Sequence, residues 1–562
     1  MTDAGTAETS PPVRRVRGWL VPLLLFFVSA AVQVAALQRG LQNVYDEGLI
    51  VFAAQRVLDG DIPYRDFWSM YTLGQFYAVA ALFWLFSPTI LIEQLFSVVT
   101  RAAITTIVFL WARELRAGVY AYAAWLIVLL MFAGLGFHGF PLHQALLFSL
   151  ISTYLLLPAY DAPRPAWRLA ASGFCAGLAT LFRHDIGFYL LVAETLALGW
   201  TVFGAGAQPR ERRMARLAGM LLPLGAGVLV VVAPVAIFLL ATVPLHDIWF
   251  NLFYVPAVIY PAVRGFPFPE LPSLLALWSG TMPIRVLSEA AGVYLPLVAA
   301  PAALIYLAAT RGAERSDARV RFGLLLLALF ALIACTKGMV RVSTVHFVQS
   351  TVPAVVIACA LFARVGGSAL RRAAAAAATA VLSFSIVAVA ARDTFILVSQ
   401  NLDLVRTLRN ETGLRLGLPR ICAPPPGMPR ARCYVPNGED AQVIALIQSR
   451  TQPGEPIYVG VRRHDRVFIN NIMMYFLAER PSATKWHEVH PGIHTSAAVQ
   501  LEMIEEFKAR NVRLLVLSRG WEEVRENNGS SVSSGVTLLD DYIRANFIET
   551  DSIGTTAIWQ RR

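Results

Sequence analysis

Charge is scarce in this sequence. Of its 562 residues only 15% are Asp, Glu, Lys or Arg, against 56% hydrophobic. Ordinary soluble proteins carry about 25% charged residues, so a purely cytosolic protein of this length would lack the charge to cover its surface. Disorder is excluded by the same balance, because it needs low hydrophobicity and high charge. Cysteine is scarce too, with five in the chain, and neither a CxxC pair nor an HExxH run occurs, which removes the common metal signatures. The last third has no Asp-x-Asp triplet and the chain has no glycine-rich phosphate loop, so no nucleotide-sugar site is expected. Internal repeats are absent as well.

Long apolar runs are abundant instead. Stretches near 18–38, 72–87, 93–112, 117–135, 142–159, 168–182, 186–204, 217–242, 288–310, 321–336, 345–365 and 373–391 approach the length that crosses a bilayer, about 20 residues. The first follows Arg14, Arg15 and Arg17, a basic start that a cleaved signal peptide shares; with many spans after it, a retained anchor is the preferred reading. Net charge is +11. Nucleic acid would be the usual partner of such a soluble protein, but basic loops on the cytoplasmic side account for the excess in a membrane protein. After Asp393 the charges nearly balance, about 20 Lys and Arg to about 18 Asp and Glu by count. The positive excess therefore belongs to the apolar part.

Basic clusters at Arg14–Arg17, Arg164/Arg168, Arg210–Arg216, Arg311–Arg321 and Arg371/Arg372 all sit in short connections. Placing them inside makes the 39–71 loop, the 183–185 corner, the 243–287 loop, the 337–344 corner and the C-terminal tail external. One conflict remains. Two apolar runs separate the 39–71 loop from Arg113 and Arg116, so either one run is re-entrant or these arginines break the rule. The expected organisation is a cytoplasmic N-terminus (1–17), an α-helical polytopic membrane domain of about 11–13 spans (18–393), and an external α/β domain (394–562). In the tail, helices near 395–416, 438–449, 467–479, 497–510 and 536–546 alternate with strands at 456–461, 512–518 and 547–560. Cys422 and Cys433 bracket the loop CAPPPGMPRARC, either as a disulfide or as free thiols. Cys175, Cys335 and Cys359 fall in or beside apolar runs and read as packing residues.

The first long loop carries the most specific chemistry. Asp46 and Glu47 lie close behind the first span, and residues 48–58 read as an amphipathic helix with Leu49, Phe52, Ala53 and Val57 on one face. A carboxylate at the interface can accept a proton from a hydroxyl, and a like-charged neighbour raises its pKa toward neutrality. An ordinary solvated acidic loop has the same composition. The order of span, Asp46-Glu47, Gly60-Asp-Ile-Pro-Tyr-Arg-Asp66, Tyr71-Thr-Leu-Gly74 and span resembles integral-membrane glycosyltransferases of the GT-C superfold, the protein O-mannosyltransferase and aminoarabinose transferase type. In the tail, Tyr475-Phe-Leu-Ala-Glu-Arg-Pro481 and His490-Pro-Gly492 resemble that group more loosely. The resemblance implies a polyprenyl-phosphate sugar donor, an outer-face reaction, and an acidic base in the first loop, here Asp46 with Glu47 beside it. Tyr64, Arg65 and Asp66 belong to the same motif and are expected at the substrate.

Four further groups follow from topology. Arg183-His184-Asp185 lies between two apolar runs, and each charge at mid-bilayer would cost about 2.5–3.5 kcal/mol. The triplet is therefore a phosphate site or an Arg–Asp pair closing a helix end. His138 and His143 sit in a Gly/Pro-rich break where the resembling families place an acidic residue; substrate hydrogen bonding or capping is preferred over metal. Lys337, Arg341 and His346 resemble the basic segment before a late span and would stabilise a phosphate leaving group, or snorkel at the interface. The loop residues Tyr254, Tyr260, Arg264, Phe266, Phe268 and Trp278 are interfacial anchors or a lid.

Together these readings point to a hexosyl or pentosyl transferase of the cell envelope that needs no cofactor or metal and accepts a lipid, glycan or protein hydroxyl. The rivals are a polytopic transporter or lipid flippase, and a non-catalytic assembly subunit. Transporters tend to carry ionisable groups at mid-membrane and two similar halves, whereas here charges cluster at run ends.

Overall fold

A computed structural model of the chain describes residues 13–37, 44–136, 138–160, 166–204, 209–269, 284–310, 318–364, 424–432 and 434–562. The run at 373–391, the stretch 395–416, Cys422, Cys433, Trp278, Arg164, Arg371 and Arg372 lie outside the described residues.

The apolar runs form helices. They are α1 (Val13–Ala35), α3 (Gly74–Phe86), α4 (Ile90–Glu114), α5 (Tyr120–Gly134), α6 (Pro141–Leu156), α7 (Ala166–Phe182), α8 (His184–Phe203), α9 (Arg210–Thr242), α12 (Ile284–Ala309), α13 (Ala318–Gly338) and α14 (Thr344–Phe362), with α2 (Asp46–Leu58) in the first loop and the short α10 (Leu245–Trp249) and α11 (Tyr260–Arg264) after α9. Seven of them, α1, α4, α8, α9, α12, α13 and α14, are long and apolar enough to cross a membrane, while α3, α5, α6 and α7 are apolar but shorter. Between helices in lipid there is little hydrophobic drive, so small residues that let backbones touch decide the contact. α7 meets α9 in this way. A Cβ at Gly173 would lie 1.8 Å from the Leu224 carbonyl oxygen, and one at Gly227 would lie 2.0 Å from that of Ala170.

The sequence conflict over Arg113 and Arg116 resolves at α3. Its 13 residues span about 20 Å, short of the roughly 30 Å hydrocarbon core. Near its far end Phe83 stacks on Phe476 of the tail, with ring centroids 5.8 Å apart. α4 then starts on the same side, where a Cβ at Gly139 would lie 1.9 Å from the Glu93 carboxylate. α3 therefore returns to the face it left. The far end of α4 stands on the opposite face, where Arg319 pairs with Glu114 at 3.0 Å and Arg364 donates to the Leu115 carbonyl.

The tail is an α/β unit. Helix α15 (Gly438–Arg450), strand β1 (Tyr458–Val461), helices α16 (Met473–Ala478) and α17 (Ala497–Ala509), strand β2 (Leu514–Ser518), helix α18 (Leu538–Asn546) and strands β3 (Phe547–Ile553) and β4 (Thr556–Arg561) follow in order. The sheet runs β1-β2-β4-β3. β1 lies parallel to β2, Val459 opposite Val516. β4 lies antiparallel to β2 and to β3. The continuous apolar runs at Tyr458–Val461 and Leu514–Ser518 are buried at every position, as expected of strands covered on both faces. The helix expected over 467–479 shortens to α16. The Asn470 amide donates to the Val459 and His487 carbonyls at 2.8 and 2.9 Å and holds the preceding residues out of a helix.

α2 differs from its expected amphipathic form. Every residue from Glu47 to Arg56 is buried. One side packs on α3 and the other on the tail, where Phe52 stacks on Tyr475 at 4.8 Å and a Cβ at Gly48 would lie 2.5 Å from the Met473 amide. Loop and tail thus share one core on one side of the membrane domain.

Candidate functional site

Where the helix ends meet the loops there is a cavity of about 480 Å³. The α7–α8 corner supplies Arg183, His184 and Asp185, the α13–α14 corner supplies Lys337, Arg341 and His346, and the loop before α3 supplies Tyr71. The remaining wall is the segment Phe250–Ile259, wound as a π-helix around Pro256. Its wide turns, a geometry that recurs at functional sites, present Phe253 and Tyr254 beside Trp249.

The cations differ in their partners. The Arg183 guanidinium donates to both Asp185 oxygens at 3.0 and 2.6 Å and lies 5.5 Å from the Tyr71 ring centroid. Arg341 donates to both Glu526 oxygens at 3.0 and 2.6 Å and covers the Phe266 ring at 4.1 Å. His346 Nδ1 shares a hydrogen bond with the Ser343 hydroxyl at 2.7 Å. Among the described residues, no carboxylate stands within ion-pair distance of the Lys337 ammonium, whereas both arginines are paired. An apolar cavity with one uncommitted ammonium and two fixed guanidiniums favours a ligand with an anionic head and an apolar body.

Asp46 and Glu47 face different surroundings. Asp46 is half-buried, and its charge acts on Tyr71, Tyr260 and Arg341 of the cavity wall and on Glu488 of the tail. Glu47 points into the protein, toward Gln94, Arg101 and the His138 backbone. Burial pushes its carboxyl up to about 8 against the Arg101 charge, and the neighbouring Asp46 is the smallest of the causes. The like-charge effect expected from the sequence is thus minor beside desolvation.

The other expected positions divide. Arg183, His184, Asp185, Lys337, Arg341 and His346 line one cavity. His138 and His143 are buried behind it in the polar cluster around Arg101. Arg101 donates to the Phe132, Leu135 and Gly136 carbonyls at 2.9, 2.9 and 2.6 Å and so holds that break in place. Tyr64 is buried against Leu239, Val243 and Leu252 and donates to the Tyr71 carbonyl at 2.6 Å, so it supports the cavity wall from outside. Arg65 and Asp66 pair with each other at 2.8 Å. They line a separate polar crevice between loop and tail. Among the described residues, no three His, Cys, Asp or Glu side chains converge as metal ligands would.

Four ionic residues near the site escaped the sequence reading. Glu93 and Arg101 are fully buried, and charges inside an apolar run were the available signal. Glu488 accepts a hydrogen bond from Tyr45 at 2.6 Å, and Glu526 holds Arg264 as well as Arg341. Both belong to the ordinarily charged tail, where nothing distinguishes them.

Neither a family model nor a curated protein matches the chain in sequence. Solved structures do match its fold. The apo form of ArnT from Cupriavidus metallidurans superposes with a TM-score of 0.54 at 12% identity, over 97% of this chain and 98% of that one. The apo oligosaccharyltransferase of Archaeoglobus fulgidus gives 0.52 at 13% identity, over 90% of this chain and 70% of that one. The archaeal oligosaccharyltransferase AglB from the same organism, in complex with an inhibitory peptide and a dolichol-phosphate, gives 0.50 at 12% identity, over 97% of this chain and 74% of that one. The chain has the GT-C-type fold of these membrane proteins.

Proposed function

We propose that this chain is a membrane glycosyltransferase. It moves a sugar from a polyprenyl-phosphate donor onto an acceptor hydroxyl, with inversion at the anomeric carbon. The observation that carries the reading is the single cavity that gathers Arg183, Lys337 and Arg341, with Asp46 acting on its wall. The Asp46 carboxylate takes the proton of the acceptor hydroxyl, and the oxygen attacks the anomeric carbon. The bond from that carbon to the phosphate oxygen breaks, and its electron pair leaves on the phosphate. Lys337 and Arg183 stabilise the charge that develops there. The dolichol-phosphate complex of AglB supports a lipid phosphate as ligand of this fold. The π-helical wall and its aromatic side chains suit the prenyl chain.

The charge distribution supports one orientation. Arg319, Arg321 and Arg364 cluster at the α4 end of the bundle, with Arg113 and Arg116 close by in sequence and the tail at the other end. Cytoplasmic connections carry the basic excess, which supports an outer-face cavity. Glycosyl transfer to a lipid, glycan or protein hydroxyl on that face is the activity to assay.

The test uses purified protein in detergent with radiolabelled polyprenyl-phosphate hexoses and pentoses and an envelope extract as acceptor. Asp46→Asn should lower kcat by about 10²–10⁴-fold, the usual worth of a general base. Glu47→Gln, which alters a side chain turned away from the cavity, should cost less than tenfold. Full transfer by Asp46→Asn would remove Asp46 as the base.

A further inference from the structure

The cavity's second arginine does not belong to the membrane domain alone. Glu526, from the tail, occupies the whole fork of Arg341 through the two bonds at 3.0 and 2.6 Å. The same carboxylate accepts from Arg264 at 3.1 Å and from the Asn528 amide at 2.9 Å. Arg341 spends a further bond on the Arg264 carbonyl at 3.0 Å. The tail segment is seated firmly there: a Cβ at Gly529 would lie 2.7 Å from the Ala262 carbonyl oxygen, and the Ser531 hydroxyl donates to the Glu526 carbonyl at 2.6 Å. The side chains of Arg341 and Glu526 are 16% and 10% exposed, so water screens the pair little. Burial alone would raise the Glu526 carboxyl. The bonds from Arg341 and Asn528 and the charge of Arg264 instead hold it down at about 2, so it stays ionised.

This arrangement matters for turnover, granted the donor reading above. A polyprenyl-phosphate sugar carries roughly one negative charge. The spent polyprenyl phosphate is a monoester and carries roughly −1.5 to −2 near neutral pH. A cavity in which every cation closes on phosphate would hold product more tightly than donor, and release would limit the rate. A bidentate guanidinium is the strongest phosphate clamp a side chain offers. We propose that Glu526 is a positioning residue that keeps the Arg341 guanidinium from closing on the product phosphate. Lys337 then holds the leaving group while Arg341 contributes only its field, and the lipid phosphate departs.

The experiment measures equilibrium binding of tritiated farnesyl phosphate to the full chain in detergent. Glu526→Gln keeps the size of the side chain, removes its charge and replaces one acceptor oxygen with an NH2 donor, so it can no longer accept from both Arg341 nitrogens. It should bind farnesyl phosphate about tenfold more tightly at low salt. The gain should vanish in the Arg341→Gln/Glu526→Gln double variant compared with Arg341→Gln. A merely structural role for Glu526 predicts the reverse, weaker binding. Unchanged or weaker binding by a folded Glu526→Gln protein, or a gain that persists without Arg341, overturns the inference alone. Wild type that binds no farnesyl phosphate overturns the functional reading and the inference with it.

Discussion

Glu488→Gln should flatten the alkaline limb of the stability profile. Glu488 is buried where the tail meets the first loop, and burial pushes its carboxyl from an ordinary 4.5 up to about 8. The folded chain therefore retains this proton up to about pH 8, while the unfolded chain loses it near 4.5. Folding takes up a proton throughout that window, so stability falls as pH rises, by about 1.4 kcal/mol per unit. The whole window is worth about 5 kcal/mol. The buried histidines act in the opposite sense. Burial lowers His490 and His494 from 6.5 to about 3, and lowers His487 well below its ordinary value. The unfolded chain binds those protons first, so stability is lost as pH falls below about 6.5. The two limbs place the optimum near 6.5. Between there and pH 8, Glu488→Gln should recover about 2 kcal/mol of the wild-type loss. Glu47, also raised to about 8 by burial, leaves a second limb in place. The assay is thermal unfolding in detergent at closely spaced pH values from 5 to 9, wild type beside variant. Equal slopes above pH 6.5 would refute the reasoning, because they would mean that Glu488 is already ionised in the folded chain.

Two other outcomes are expected. Lys337→Met should raise KM for the lipid-linked donor about tenfold, the worth of one charge-assisted contact, with a smaller effect from Lys337→Arg; donor-concentration series on the three proteins check this. Gly173→Val should abolish folded protein, because even a Cβ there would lie 1.8 Å from the Leu224 carbonyl oxygen, whereas Gly219→Ala, which meets nothing within 4 Å, should be neutral in expression and melting temperature.

The membrane runs were legible because hydropathy alone dictates them, and a helix is the simplest way to satisfy a backbone in lipid. α3 was not, since 13 apolar residues look alike whether they cross or return. Only the contact of Phe83 with Phe476 distinguishes the two, and it joins distant parts of the chain. Arg183, Asp185, Lys337 and Arg341 were legible for an energetic reason. Charges that interrupt apolar runs are costly at mid-bilayer, so they mark interfaces, pairs or cavities. That they share one cavity was beyond the sequence, as were the different surroundings of Asp46 and Glu47. Consecutive helical residues point about 100° apart, and which direction meets the cavity depends on the elements around α2. Leu49, Phe52, Ala53 and Val57 predicted one apolar face. The tail covers Phe52 of that face together with Gly48 and Arg56, and no local pattern announces its arrival.

The shared core of α2 and the tail also has a timetable. Gly48 and the Met473 amide it packs against are 425 residues apart in the chain. At roughly 5–20 residues per second of synthesis, α2 waits about 20–85 s for its partner. Arg341 and Glu526 are 185 residues apart, so that arginine waits about 9–37 s for its carboxylate. A nascent chain with its membrane helices already inserted would therefore still lack the contacts that bury α2. A chain that stalls before residue 473 leaves the tail-facing side of α2 uncovered.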